Sequence, residues 1–201
     1  MAQMAVNLGG IAMKNPITVA SGTFGYGQEY AQLFDLSRLG AVTVKGIRAC
    51  PWPGNPLPRH TEVPGGMINA IGLQGPGVEA FIRDDMPFLA ERNVPAIVNI
   101  WGATAEEYAE VAARLDGVPG VAGLELNVSC PNVKAGGLAL GTSCDNVFAV
   151  AKAVKEVTDK PIYMKLSPNV TDIAAIAKAC EEGGADGISL INTMTGMRTV
   201  S

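Results

Sequence analysis

Six short apolar runs recur along the chain, most of them followed by a segment with helical spacing, and each closes on a polar side chain. They cover residues 16–20, 41–45, 95–101, 123–127, 161–166 and 187–192, and their carboxyl ends present Ser21, Lys45, Asn99, Asn127, Lys165 and Asn192. Strands that are apolar along their whole length predict a parallel sheet covered on both faces by crossover helices. The helical segments expected between them are 28–33, 78–91 with a bend at Pro87, 104–115, 145–157 and 171–184; Thr104 and Glu107 form a capping-box pair at the start of the third. An open doubly wound sheet and a (β/α)₈ barrel are both built this way. A barrel gathers the carboxyl ends of all its strands around one mouth, whereas an open sheet brings only the central ones to its crevice. Polar groups at all six ends therefore favour an α/β TIM barrel. Six of eight βα units are accounted for, so residues 1–201 are expected to form one barrel domain, C-terminally incomplete, within a longer polypeptide.

Composition narrows the partners. Charged residues make up 17% of the 201, with Lys+Arg 15 against Asp+Glu 19 and a net charge of −4. That balance supplies no electrostatic footprint for nucleic acid or an anionic membrane. The apolar runs are strand-sized, well below the roughly 18 residues of a membrane span, and the first residues lack a basic region followed by an apolar one. A cytoplasmic location is expected. Cys50, Cys130, Cys144 and Cys180 form no Cys-x-x-Cys pair, and His60 is the sole histidine. Neither a metal site nor a disulfide framework is indicated, and a mechanism needing two histidines is excluded.

The densest chemistry follows the fourth run. Within residues 127–137 the chain presents Asn127, Ser129, Cys130, Asn132, Lys134 and the pair Gly136-Gly137. A thiol can act as a base where its surroundings favour thiolate; otherwise a free cysteine is a small buried hydrophobe. Lys45 and Lys165 end apolar strands, where an ammonium group needs a partner. Such lysines stabilise a bound anion, pair at a barrel rim, or form a Schiff base as in an aldolase, the last being less attractive beside so many amides. Singly, Asn69, Asn127, Asn132 and Asn192 are turn formers; together they suit a flat heterocycle with alternating N–H and C=O groups. Ser21-Gly22 offers backbone N–H groups without a covering side chain, or simply a βα turn, and the spacing of Gly22, Gly25 and Gly27 is not the dinucleotide fingerprint. The Pro- and Gly-rich excursion over residues 46–77 is too long to be filler. Residues 134–137 are a candidate hinge for a lid over the substrate.

Seven motifs in order carry a resemblance: Ala20-Ser-Gly-Thr-Phe-Gly-Tyr-Gly27, Val44-Lys-Gly46, Gly54-Asn-Pro-Leu-Pro-Arg59, Asn69-Ala-Ile-Gly-Leu-Gln74, Asn127-Val-Ser-Cys-Pro-Asn132, Met164-Lys-Leu-Ser-Pro-Asn169 and Ile191-Asn-Thr193. On them, residues 14–201 resemble the catalytic flavoprotein of the dihydroorotate dehydrogenases, most closely the NAD-linked class 1B. The resemblance implies a (β/α)₈ barrel with FMN at its mouth and oxidation of dihydroorotate to orotate in pyrimidine biosynthesis. It implies Cys130 as the base taking the C5 proton, with the C6 hydride passing to FMN N5. Substrate contacts implied are Lys45, Asn69, Ala70, Ile71, Gly72, Leu73, Asn127, Asn132, Asn192 and Thr193. Flavin contacts implied are Ser21, Gly22, Lys45, Gly46, Asn99, Asn127, Lys165 and Ile191. The family's FMN phosphate loops follow strands seven and eight, beyond these 201 residues. Class 1B further implies a partner subunit carrying FAD and a 2Fe-2S cluster, in a heterotetramer built on a homodimer. The alternatives are the fumarate-linked class 1A form or a related dihydropyrimidine oxidoreductase, and a truncated, flavin-free binding protein.

Overall fold

The computed structural model describes residues 3–129 and 140–199. The chain opens with an antiparallel hairpin, β1 (Val6–Leu8) and β2 (Ile11–Met13), and then a helical turn, α1 (Ser21–Phe24). Strand β3 (Val42–Ile47) leads into a second hairpin, β4 (His60–Val63) and β5 (Gly66–Asn69). Two short helices follow, α2 (Val78–Ala80) and α3 (Met86–Ala90), joined by a π-helical turn over Phe81–Asp85. The remainder alternates: β6 (Ala96–Ile100), α4 (Ala105–Asp116), β7 (Val121–Asn127), α5 (Cys144–Lys155), β8 (Ile162–Lys165), α6 (Ile173–Glu182) and β9 (Gly187–Ser189).

Strands β3, β6, β7, β8 and β9 are hydrogen-bonded in that order and all parallel. Spatial order equals sequence order, so the sheet has no point at which the winding reverses. That separates the two architectures, because a doubly wound sheet needs such a reversal. The fold is a sector of a (β/α) barrel.

The helices lie on one face of this sheet. Helix α4 buries Tyr108, Val111, Ala112 and Leu115, and α5 buries Val147, Val150, Ala151 and Val154, each set on one stripe of a 3.6-residue period. Against them pack the alternate strand residues Val98, Leu124, Leu126, Ile162 and Met164, all wholly buried. Truncating one such leucine to alanine would cost about 2–5 kcal/mol. Residues of the other parity face the barrel interior: Thr43, Asn99, Glu125, Asn127, Lys165 and Ser189. The interior floor is closed by the first hairpin, whose Ile11 and Met13 pack with Ala41, Ile97 and Tyr163. Tyr163 Oη donates to Leu8 O at 2.6 Å and ties that floor to β8.

Five expectations are corrected. Residues 17–20 join no ladder: they are held beside β3 by the bond from Gly40 N to Ile17 O at 2.8 Å and the Thr18–Thr43 hydroxyl pair at 3.2 Å. The helix expected over 28–33 is a single 3₁₀ turn, Tyr30–Gln32. The bend expected at Pro87 is taken up one turn earlier by the π-helical turn, which moves Arg83, the residue a proline ring at 87 would crowd, off the regular ladder. Helix α6 starts at Ile173, two residues later than Thr171, because Asp172 caps it by accepting from Ala174 N and Ala175 N. The last strand stops at Ser189, three residues short of Asn192, although Asn192 N still donates to Leu166 O at 3.0 Å.

Candidate active site

Each parallel strand delivers its last inward residue to the same end of the sheet. The register sets Asn99 beside Glu125, Asn127 beside Lys165, and Lys165 beside Ser189. A break in the β3 ladder between Val44 and Ile47 frees Lys45 and Gly46 from regular pairing, and Lys45 N donates instead to Gly25 O at 2.9 Å. A Cβ on Gly46 would meet Asn99 Oδ1 at 2.9 Å, so the missing side chain is what lets that amide turn inward.

The amides form a row. Asn127 Nδ2 donates to Asn99 Oδ1 at 3.5 Å, and Asn192 Nδ2 donates to Asn127 Oδ1 at 2.9 Å and to Ser129 Oγ at 2.8 Å. Beneath the row lies Glu125, buried in the interior. Its carboxylate accepts from Asn99 Nδ2 at 2.5 Å and Ser189 Oγ at 2.8 Å, and Lys165 Nζ stands 3.6 Å away. Lys165 Nζ also reaches Ser21 Oγ at 3.5 Å. A buried carboxylate is tolerated only with such partners, and here it fixes both an amide and a cation. Outside the barrel, Tyr108 Oη donates to Asn127 O at 2.8 Å and anchors the strand end to α4.

These groups surround a cleft of about 180 Å³. Ser21, Gly22, Lys45, Gly46, Asn69, Ile71, Gly72, Leu73, Asn99, Asn127, Lys165, Asn192 and Thr193 all line it. Two expected residues do not. Ala70 faces away, its N–H given to Arg59 O and its carbonyl to Asn55 Nδ2, and Ile191 lines the neighbouring interior cavity beside Lys165 and Leu190. Cys130, Asn132 and residues 134–137 lie outside the described residues.

Sequence reasoning missed Glu125 and Ser189, and noted Ser129 without giving it a role. For Glu125 a signal existed: a charged residue in the middle of an otherwise apolar run is unexplained unless it has work inside. Among the described residues no group of His, Cys, Asp and Glu is placed to hold a metal, and no helix is long and apolar enough to cross a membrane.

A wider groove of about 730 Å³ adjoins the cleft through Gly22, Lys45 and Ile71, with Tyr26, Trp52, Arg59 and Asp85 on its walls. Burial, and then the neighbouring charges of Asp84 and Glu29, hold the Asp85 carboxyl above the usual carboxylate range. Burial, and then Asp85, raise the Tyr26 phenol well above its ordinary value.

A partial (β/α) barrel with amides and two lysines converging at its strand ends is an α/β barrel with a polar cleft at its mouth. The family model described as dihydroorotate dehydrogenase matches residues 3–201, and the chain belongs to that family. Among similar proteins is the "Dihydroorotate dehydrogenase B (NAD(+)), catalytic subunit" of Pelobacter propionicus, 57% identical over 194 residues, which are 96% of this chain and 64% of that protein. The proteins of the same description from Geobacter metallireducens and Anoxybacillus flavithermus are 55% and 54% identical, over 96% and 98% of this chain and 64% of each relative. The chain thus spans about 64% of the length of these curated relatives. The crystal structure of the Eimeria tenella enzyme, DHODH in complex with ferulenol, superposes with a TM-score of 0.78 at 22% identity, covering 98% of this chain and 61% of that one, a likeness of fold.

Proposed function

We propose that this chain is the dihydroorotate-oxidising, FMN-holding part of a class 1B dihydroorotate dehydrogenase of pyrimidine biosynthesis. The observation that carries this reading is the amide row Asn99, Asn127 and Asn192 set between Lys45 and Lys165 at one cleft. The words "NAD(+)" and "catalytic subunit" in the relatives' names support class 1B over the fumarate-linked form.

The donor set fits a flavin ring. Side-chain amides offer both a donor and an acceptor, and the cations balance charge that collects on the reduced heterocycle. Ser21, Gly22, Lys45, Gly46, Asn99, Asn127, Lys165 and Ile191 are the residues that would hold FMN, which when bound supplies the hydride acceptor for C6 of the substrate. Lys165, steadied by Glu125, holds a fixed positive charge at one edge of the cleft, and Lys45 stands between cofactor and substrate. Lys45, Asn69, Ile71, Gly72, Leu73, Asn127, Asn132, Asn192 and Thr193 bind dihydroorotate, with Ala70 turned away from the cleft, and the Cys130 thiolate takes the C5 proton. A second subunit with FAD and a 2Fe-2S cluster carries electrons to NAD, in a heterotetramer built on a homodimer.

Purified protein should be yellow, and its flavin spectrum should bleach when dihydroorotate is added without oxygen. NAD reduction should then require the second subunit. Colourless protein that takes up no FMN would overturn the reading in favour of a flavin-free binding protein, and electron transfer to fumarate without a second subunit would assign class 1A.

A further inference from the structure

The segment that walls the cleft with Ile71, Gly72 and Leu73 is held from behind by residues 52–55. Asn55 N donates to Ile71 O at 3.0 Å, Trp52 Nε1 donates to Gly72 O at 3.0 Å, and Trp52 and Gly75 exchange backbone hydrogen bonds of 2.9 and 3.0 Å. Gly72 and Leu73 both take positive φ, 76° and 57°, a conformation that only a well-held loop keeps at a leucine.

What holds Trp52 is Arg48. Its guanidinium carbon lies 5.1 Å from the Trp52 ring centroid and 4.7 Å from that of Trp101, and the two indoles meet edge to face at 5.8 Å. Arg48 Nη2 pairs with Glu107 Oε2 at 3.2 Å, and Glu107 is itself fixed by Ala103 N at 2.9 Å, at the start of α4. A guanidinium between two aromatic faces sets their spacing as well as its own place. Arg48 is not among the residues that line the cleft. It acts on the wall through Trp52, whose indole N–H donates to Gly72 O.

We propose that Arg48 is a positioning residue for substrate binding, setting the Ile71–Leu73 wall of the cleft through Trp52, an inference that rests on the functional reading above. The alternative is that Arg48 only fastens α4 to the end of β3, which would alter stability and leave the cleft unchanged.

The test is Arg48→Met and Arg48→Lys in the flavin-loaded protein with its partner subunit, scored by steady-state kinetics, by calorimetric titration with orotate and by melting temperature. Arg48→Met should raise the KM for dihydroorotate and the orotate Kd on the order of tenfold, with kcat within about twofold, the scale of a lost cation–π contact. Arg48→Lys, which keeps the cation but not the planar group between the indoles, should recover the binding only in part. If Arg48→Met does not fold, Trp52→Phe keeps an aromatic ring beside Arg48, removes the donor to Gly72 and should raise both constants in the same way. Binding unchanged in these variants, with only the melting temperature lowered, would overturn the inference alone. Wild-type protein that fails to bind orotate would overturn the functional reading and this inference with it.

Discussion

Lys165 Nζ stands 3.6 Å from Glu125 Oε1 inside the strand cylinder, with only 14% and 8% of the two side chains exposed. The pair is one unit with Asn99 and Ser189, which share the same carboxylate. Glu125→Gln leaves a buried ammonium group with a neutral neighbour, and losses of this kind run to about 3 kcal/mol. Urea denaturation should show a loss of that order and flavin binding should weaken. Adding Lys165→Met should return part of the stability while flavin binding is not restored. A double variant no more stable than Glu125→Gln would show that the two charges are not coupled.

Asp85 provides a pH signature. Its folded carboxyl is raised by burial and by Asp84 and Glu29, so its contribution to stability is complete below the unfolded carboxylate value and is lost as pH rises through the folded one. At neutral pH the ionised group therefore destabilises the fold. Asp85→Asn, which can still accept from Gln28 Nε2, should melt higher than wild type at pH 7, with the gap closing as pH falls below about 4. A gap independent of pH would remove ionisation as the cause.

The described cysteines divide by exposure. Cys50 and Cys144 are exposed, whereas Cys180 is buried on the core face of α6 and its thiol is pushed up to about 12, by burial and then by Cys144. Thiolate is the reactive form, so a disulfide reagent at pH 8 should label Cys50 and Cys144 in the native protein and Cys180 only on unfolding. Peptide mapping of the labelled protein checks this, and prompt labelling of Cys180 would contradict the packing of α6.

Sequence reasoning located the strand ends well for a physical reason: parallel winding aligns every carboxyl terminus at one mouth, so Lys45, Asn99, Asn127 and Lys165 meet wherever the loops run. Where a position depends on the course of a loop, legibility falls. Ala70 faces away because Asn55 and Arg59 claim its backbone, a pairing that no periodicity announces. The hairpin His60–Val63 with Gly66–Asn69 is mostly exposed and carries no core-facing alternation, so the excursion read as irregular. Residues 17–20 have a strand's composition but bond through Ile17 O to Gly40 N without forming a ladder. The Arg48–Trp52 contact and the role of Glu125 arise from side chains meeting across separate elements, which only the folded chain reveals.

Tyr108 is the wholly buried residue of α4 whose hydroxyl reaches through the core to Asn127 O at 2.8 Å. Asn127 is also the centre of the amide row, so the helix that covers the barrel wall fixes a group in the cleft. Tyr108→Phe keeps the ring and its packing but leaves that carbonyl buried with one partner fewer, a loss of about 1–3 kcal/mol. The strand end should loosen with it. Denaturant midpoints should fall by that amount with an unchanged m-value, and orotate affinity should drop because the Asn127 amide is less firmly aimed. If stability falls while orotate affinity stays at the wild-type value, the hydroxyl serves the fold only, and the Asn127 side chain is held by Asn99, Ser129 and Asn192 without it.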